Sequence, residues 1–356
     1  MDYKRQYFEC VSKAVWEYQI GGYQVMDKYL MGREGRIKNK EGENEKLIDC
    51  YGRAIRSLRF SLTNRCNLNC IYCHNEGEGR DEVKAEISAE LIIAIARVAS
   101  TYFGIRRIKF SGGEPLMRAD LAEIVHGIRD YEDDISVTTN GIYLSNYAAA
   151  LADAGLDRLN VSLDSIKGER YDLITSSTNN LPRVIDGIYS AIDACLTPIK
   201  LNTVILNGIN EDEIDDLIDF VRECNKRGGG EMVILQLIEL IPSFNHSMQP
   251  YKADFYAIEA KLKSKAAAIK TRRLQHRKKY FVDGVEVEVV HPIDNTEFCA
   301  NCSRLRITSD GTIKPCLLRD DNLVPIEHMD EEQIANRLKL AMQYRAPFYG
   351  KRHPRI

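Results

Sequence analysis

The sequence carries no excess of either charge: 49 Lys and Arg stand against 52 Asp and Glu, a formal net charge of −3. That excludes the broad electrostatic pull by which nucleic-acid and membrane-surface proteins find polyanions, while leaving room for local cations that hold a phosphorylated small molecule. Nor is there any run approaching the roughly 20 apolar residues that span a bilayer. The first residues, MDYKRQYFEC, lack the apolar core of a secretory signal. These absences point to a cytoplasmic chain with no nucleic-acid and no membrane partner. The ten cysteines are spread over 356 residues, too dilute for a disulfide scaffold. What is plentiful is core-forming material: 44% of residues are hydrophobic and 28% charged, enough for one large domain with appendages.

Six of the ten cysteines fall into two tight groups, which in a long cytosolic chain reads as metal binding. Cys10, Cys50, Cys195 and Cys224 are scattered and read as buried or incidental thiols.

Residues 1–46 read as an N-terminal extension of unassigned function. A helix is expected from Phe8 to Leu30, followed by the charged linker GREGRIKNKEGENEK. From Ile55 short apolar strands alternate with helical stretches. The strands are expected at 57–62, 108–112, 135–141, 159–164, 199–206 and 232–240. Helices are expected near 88–103, 118–130, 145–154, 181–195 and 211–227. Six βα repeats imply an α/β fold, a partial (β/α)6 TIM-type barrel over 47–244. Its active site is expected at the C-terminal ends of the strands, with both cysteine groups placed there. Residues 245–356 break the rhythm. They form a C-terminal region with a helix near 251–265, a strand pair near 278–290 and the second cysteine group.

The first group is Cys66-Asn-Leu-Asn-Cys70-Ile-Tyr-Cys73. Spacings of three and two residues let one loop wrap a cubane iron–sulfur cluster, for which thiolates are the usual ligands. Three cysteines leave one iron open, as a cluster needs if it is to bind and reduce a small molecule. The second group is Cys299-Ala-Asn-Cys302, with Cys316 after thirteen intervening residues. It again offers three thiols. His291 or His328 as a fourth ligand would make it a zinc site instead. Within it, Arg304 and Arg306 flank Leu305, so on a strand both arginines share one face. Two forked cations beside an open metal suit a phosphate-bearing substrate.

The C-x-x-x-C-x-x-C motif resembles the signature of the radical S-adenosylmethionine superfamily. That resemblance implies that S-adenosylmethionine chelates the open iron and yields a 5′-deoxyadenosyl radical. It also implies that Tyr72 approaches the adenine, that Gly112, Gly113 and Glu114 of SGGEP meet the methionine end, and that Ser162 contacts the carboxylate or ribose. The segments YGRAIRSLRFSLTNRCNLNCIYC, IKFSGGEPLMR, TTNG, LDRLNVSLDSI, KLNTVILNGINEDEI and FCANCSRLRITSDGTIKPCL together resemble the GTP 3′,8-cyclase family of molybdenum cofactor biosynthesis, over about residues 48–346. CHNEGEG after Cys73 is most similar to its archaeal-type branch.

The family resemblance implies two [4Fe–4S] clusters, with the second binding the guanine of GTP. Arg59, Lys109, Thr138, Lys200, Arg304, Leu305 and Arg306 match the family's GTP-binding positions. The implied reaction abstracts the 3′ hydrogen of GTP and joins that carbon to C8 of guanine. It further implies an electron donor and a downstream pterin-forming enzyme as partners. Two features depart from the family pattern. Gln236 stands where arginine is frequent, and the chain ends in GKRHPRI rather than in two glycines. The alternatives are a radical enzyme whose auxiliary cluster serves a peptide substrate, and a non-catalytic iron–sulfur electron carrier.

Overall fold

Strands β1 (Ser57–Ser61), β2 (Arg107–Ser111), β3 (Asp134–Thr139), β4 (Arg158–Ser162), β5 (Ile199–Ile205) and β6 (Val233–Glu239) form the parallel heart of the fold in a computed structural model. The structure describes residues 44–78, 85–230, 232–242, 246–272, 277–291, 296–327 and 329–347. The Phe8–Leu30 helix, His328 and the GKRHPRI tail lie outside these residues. Between the strands run α1 (Ala89–Phe103), α2 (Leu121–Ile128), α3 (Leu144–Asp153), α4 (Gly168–Thr175), α5 (Leu181–Asp193) and α6 (Ile214–Gly228). Every strand expected from sequence is present to within one or two residues. Helix α4 was not expected, because its eight residues carry only a weak apolar stripe.

A parallel sheet covered on both faces normally reads as a continuous apolar run. These strands do not. In β1, Leu58 and Phe60 are fully buried, while Ser57, Arg59 and Ser61 occupy the alternate positions. In β5, Ile199, Leu201 and Ile205 alternate with Lys200 and Asn202. The apolar set packs outward under the helices, where Phe60 meets Phe110 with ring centroids 5.8 Å apart. Ile92, Ile95 and Ala96 of α1 belong to the same core. Burying a side chain of this size stabilises by about 1.5–3 kcal/mol, and cutting Phe60 to alanine would cost about 3–5 kcal/mol. The polar set is left facing the inside of the curved sheet.

The described residues of the C-terminal region join the same sheet. After α7 (Phe255–Lys265) come β7 (Ala268–Thr271), β8 (Lys278–Val282), β9 (Val285–Val290), a short α8 (Thr296–Ala300), β10 (Arg304–Ile307), β11 (Thr312–Lys314), β12 (Val324–Pro325) and α9 (Glu331–Gln343). Among the described residues the strands form one twelve-stranded sheet, ordered β12-β11-β10-β1-β2-β3-β4-β5-β6-β9-β8-β7. Strand β9 pairs parallel with β6, and β10 pairs parallel with β1. The last third of the chain thus extends the parallel barrel at both edges. The β8–β9 hairpin turns at Asp283-Gly284, both with positive φ, which is the turn Asp-Gly favours. Among the four scattered cysteines, Cys224 is buried and Cys50 exposed. Cys195 is disulfide-bonded, so its reading as a thiol does not hold.

Candidate active site

The first cysteine group leaves the C-terminal end of β1. Cys66 and Cys73 are exposed and Cys70 is half-buried. Backbone N–H groups turn toward the sulfurs: Leu68 N donates to Cys66 Sγ at 3.5 Å and Asn75 N to Cys73 Sγ at 3.3 Å. The loop is pinned from outside by α4, whose Ile174 and Thr175 carbonyls accept from Ile71 N (2.9 Å) and Asn69 N (3.1 Å). No sequence signal marked those two residues, because their part is played by backbone atoms.

The SGGEP turn packs directly on this loop. Gly113 N donates to Thr63 O at 2.6 Å and Glu114 N to Arg65 O at 2.8 Å. A Cβ on Gly113 would fall 2.0 Å from Arg65 O. The glycine is therefore required by the cysteine loop's own backbone, whatever else approaches it. Glu114, 1% exposed, accepts from Leu116 N (2.9 Å), the Thr139 hydroxyl (2.6 Å) and Asn140 N (2.7 Å). Burial nevertheless raises its pKa to about 7. Asn140 in turn donates to Asn67 Oδ1 at 2.7 Å, tying the TTNG turn to the cysteine loop. The Tyr72 hydroxyl donates to Asp164 Oδ2 at 2.6 Å, and Asp164 Oδ1 accepts from Val204 N at 2.8 Å. Ser162, half-buried, ends β4 at this same end of the sheet.

The second cysteine group does not join the first at the C-terminal strand ends, contrary to expectation. Cys302 precedes β10, and Cys316 follows β11, its antiparallel partner. Both therefore sit at the open end of that hairpin. Because β10 runs parallel to β1 with Ser57 opposite Arg304, this is the N-terminal end of the barrel. A five-residue strand at about 3.3 Å per residue puts the two groups about 15 Å apart along the strands. A clamp of two arginines and one aspartate, none singled out from sequence as a site residue, fixes the lower loop. Arg53 donates to Cys299 O (3.0 Å) and Ala346 O (2.6 Å), and Arg345 to Cys302 O (3.0 Å). Both guanidinium groups pair with the buried Asp49 carboxylate, at 2.7 and 3.1 Å. Burial opposes ionisation of the Cys302 thiol, but the charges of Arg345, Arg306 and Arg304 together bring its pKa below the ordinary value, which favours a metal-ligating thiolate.

His291 is not available as a fourth ligand here. Its Nδ1 lies 3.4 Å from Glu239 and its Nε2 3.4 Å from Glu259, and hydrogen bonding to those two carboxylates raises its pKa to about 9. A protonated imidazole has no lone pair for a metal. Among the described residues no three Cys, His, Asp or Glu side chains converge on a position for one ion. Two loops of three thiols, with N–H groups turned to the sulfurs of the first and cations around the second, are a donor set suited to iron–sulfur clusters.

Between the two ends lies the polar inner face. Ladder register aligns Arg306 with Arg59 and Arg59 with Lys109, and Thr138 and Lys200 both pair with Asn160. These residues lie along the strands rather than at strand ends as expected. Leu305 is the exception among the predicted site residues. It is fully buried and alternates with the arginines, so its side chain belongs to the outer core. Arg59 and Arg306 share one carboxylate, Glu76, at 3.2 and 3.9 Å. Glu76 was not singled out from sequence. Burial works against its charge, yet Arg59 and Arg306 hold its pKa down to about 2. Burial and the charges of Arg59 and Arg304 push the Lys109 ammonium well below its usual pKa. The Nε atoms of Arg59 and Arg306 and the Thr138 hydroxyl are buried without hydrogen-bond partners. A crowd of like charges with orphaned donors is the electrostatic signature of a site for a polyanion.

Comparison with known proteins fits both ends of this site. A model of the radical SAM superfamily matches residues 60–221, and one described as Molybdenum Cofactor Synthesis C matches 233–351. A third, the Type ISP C-terminal specificity domain, matches 2–53, most of which is outside the described residues. A probable GTP 3′,8-cyclase of Methanosarcina mazei is 49% identical over 315 residues, covering 87% of this chain and 92% of that protein. The chain belongs to the GTP 3′,8-cyclase family. A relative of the same description from Methanocaldococcus jannaschii is 48% identical, over 78% of this chain and 90% of that protein. Among solved structures, Streptococcus suis SuiB bound to its precursor peptide SuiA aligns at TM-score 0.60 and 16% identity, covering 84% of this chain and 67% of that one. Native anSMEcpe with bound AdoMet aligns at 0.51 and 16%, covering 73% and 74%. At that identity the likeness is one of fold.

Proposed function

We infer that this chain is a GTP 3′,8-cyclase: a radical S-adenosylmethionine enzyme that takes GTP and forms its 3′,8-cyclised product for molybdopterin synthesis. The observation that carries the reading is the inner face itself. A row of cations, with the carboxylates Glu76 and Glu288 among them, runs between two three-thiol loops at opposite ends of one barrel.

On this reading Cys66, Cys70 and Cys73 hold a [4Fe–4S] cluster, and S-adenosylmethionine lies beside Tyr72, Gly112, Gly113, Glu114 and Ser162. When bound, cluster and cofactor supply one-electron chemistry that ends in a carbon radical. Cys299, Cys302 and Cys316 would hold a second cluster at the N-terminal end of the barrel. The protein's own part is placement. Arg59, Lys109, Lys200, Arg304 and Arg306 meet the phosphates or the base as fixed donors, with Thr138 as a neutral one. Leu305 contributes only its backbone. Barrel walls and the SGGEP turn exclude water from the reacting carbon. An external reductant, a downstream pterin-forming enzyme and a cytoplasmic setting complete the proposal.

The test is anaerobic incubation with S-adenosylmethionine, a reductant and each of the four common ribonucleoside triphosphates, with products identified by chromatography and mass. The reading requires 5′-deoxyadenosine together with a cyclised nucleotide from GTP alone. Deoxyadenosine with no nucleotide product would transfer the reading to another substrate class.

A further inference from the structure

The turn that follows the first cysteine loop folds back into the barrel. Asn75, Glu76 and Gly77 have φ of 47°, 51° and 76° in succession, a left-handed run that a glutamate rarely adopts. Both flanks of this turn are tied down. On one side Asn75 N donates to Cys73 Sγ at 3.3 Å. On the other, the buried Lys314 of β11 donates to Gly77 O at 2.8 Å, and Glu78 Oε2 accepts from Ser309 N at 2.9 Å. A Cβ on Gly77 would fall 2.6 Å from Leu317 O, so the backbone is hemmed in there as well. The turn presents the Glu76 side chain, 15% exposed, between Arg59 of β1 and Arg306 of β10.

The contacts made there are loose. Both Glu76 carboxylate oxygens accept from the single Nη1 of Arg59, at 3.2 and 3.5 Å. Arg306 Nε is 3.9 Å away, beyond a hydrogen bond. The Nε atoms of both arginines are buried without hydrogen-bond partners. His74 and Ser111 also face the carboxylate. Elsewhere the protein builds forked pairs: Arg158 grips Asp134 at 2.8 and 2.5 Å, and Arg118 grips Asp120 at 2.9 and 2.5 Å. A carboxylate that serves only to hold arginines gains most from such a fork. Glu76 instead offsets the charge of Arg59 and Arg306 while leaving their Nε donors unused.

We propose that Glu76 is a surrogate anion, holding the place between Arg59 and Arg306 that a phosphate of the nucleotide takes, and that the entering polyphosphate pushes its side chain aside. This rests on the assignment of GTP as substrate. The anchored turn confines the exchange to rotation of one flexible side chain. Glu76 thereby determines specificity: a ligand must carry enough negative charge to replace it, and a neutral nucleoside leaves it in place.

The test is equilibrium binding of GTP, inorganic triphosphate and guanosine, under anaerobic conditions, to the cluster-loaded protein, with thermal melting of the nucleotide-free form. Glu76→Gln should tighten GTP and triphosphate about tenfold, leave guanosine unchanged and lower Tm by a few degrees. A carboxylate that only aligns the arginines would lose Tm and anion affinity together. Glu76→Asp keeps the charge, suits the left-handed backbone and reaches less far, so it should tighten both anions a few-fold. It also covers the case in which the glutamine variant fails to retain iron. If an iron-retaining variant binds GTP and triphosphate no more tightly than wild type, Glu76 is not a surrogate and the proposal fails. Equal tightening of guanosine would overturn the selection by charge. If wild type binds triphosphate but not GTP, the substrate assignment fails, while the triphosphate measurements still decide whether Glu76 is displaced.

Discussion

The two ends of the barrel handle polar groups in opposite ways. At the C-terminal end the polar groups of the motifs are answered by others within the protein: Glu114 by Leu116, Thr139 and Asn140, Tyr72 by Asp164, and the cysteine loop by α4. Toward the N-terminal end and along the inner face, cations outnumber carboxylates. Lys109 and Arg304 crowd each other, and Arg59 and Arg306 share one Glu76. A self-satisfied region of this kind is rigid. A region of surplus charge gives up stability and suits a polyanionic ligand.

The largest effects test whether the ends divide the chemistry. Anaerobically reconstituted protein should hold about eight irons, four per cubane cluster. Changing Cys66, Cys70 and Cys73 to alanine should halve that and abolish cleavage of S-adenosylmethionine. Cys302→Ala should stop cyclisation yet leave uncoupled formation of 5′-deoxyadenosine. If that variant loses both activities in step, the ends do not act separately.

Next come the arginines of β10. A charge-assisted bond to phosphate contributes roughly 1.5–3 kcal/mol, so Arg304→Ala or Arg306→Ala should lower GTP affinity about ten- to a hundredfold. S-adenosylmethionine affinity should not move. Binding isotherms for both ligands decide the matter, and unchanged GTP affinity would mean that the inner face holds something else.

Stability should then respond with opposite signs. Glu114→Gln places an amide N–H₂ against Asn140 N–H and should cost about 1–3 kcal/mol. Lys109→Met relieves repulsion of roughly 1 kcal/mol and should raise Tm by about 2 °C in nucleotide-free protein, while GTP binding weakens. A destabilised Lys109→Met would show that the inner face is already balanced.

The smallest effect is a pH dependence. Buried Glu114 has its pKa raised from 4.5 to about 7, so the native state keeps a proton that the unfolded chain has released. Its contribution is full below about pH 4.5 and is lost as pH rises toward 7. Thermal melts from pH 5 to 8 should show a steeper fall for wild type than for Glu114→Gln. Parallel slopes would remove Glu114 from the account.

Much of this was legible because local chemistry demanded it. The strands announced themselves as short apolar stretches alternating with helical ones, and the cysteine loops by spacings that suit ligation. Arg304 and Arg306 share a face because a strand has a period of two, which equally sends Leu305 outward. Helix α4 was missed because its eight residues carry only a weak apolar stripe, and Ile174 and Thr175 because their anchoring role uses backbone carbonyls. Glu76 and Glu288 were missed because an isolated acid in a sequence does not say what it will face.

By itself, then, the sequence determined the parallel α/β architecture, the two thiol groups and the row of strand cations, since each follows from short-range periodicity or spacing. Only the tertiary structure decided that the two groups lie at opposite ends of one barrel. That placement depends on β10 pairing parallel to β1 across about 250 residues of chain, with Cys302 and Cys316 at the open end of its hairpin. It also decided which wall each cation joins. Lys200 is drawn to Glu288 and Arg59 to Glu76, because the strength of a charge pair depends on distance and on the water excluded from it.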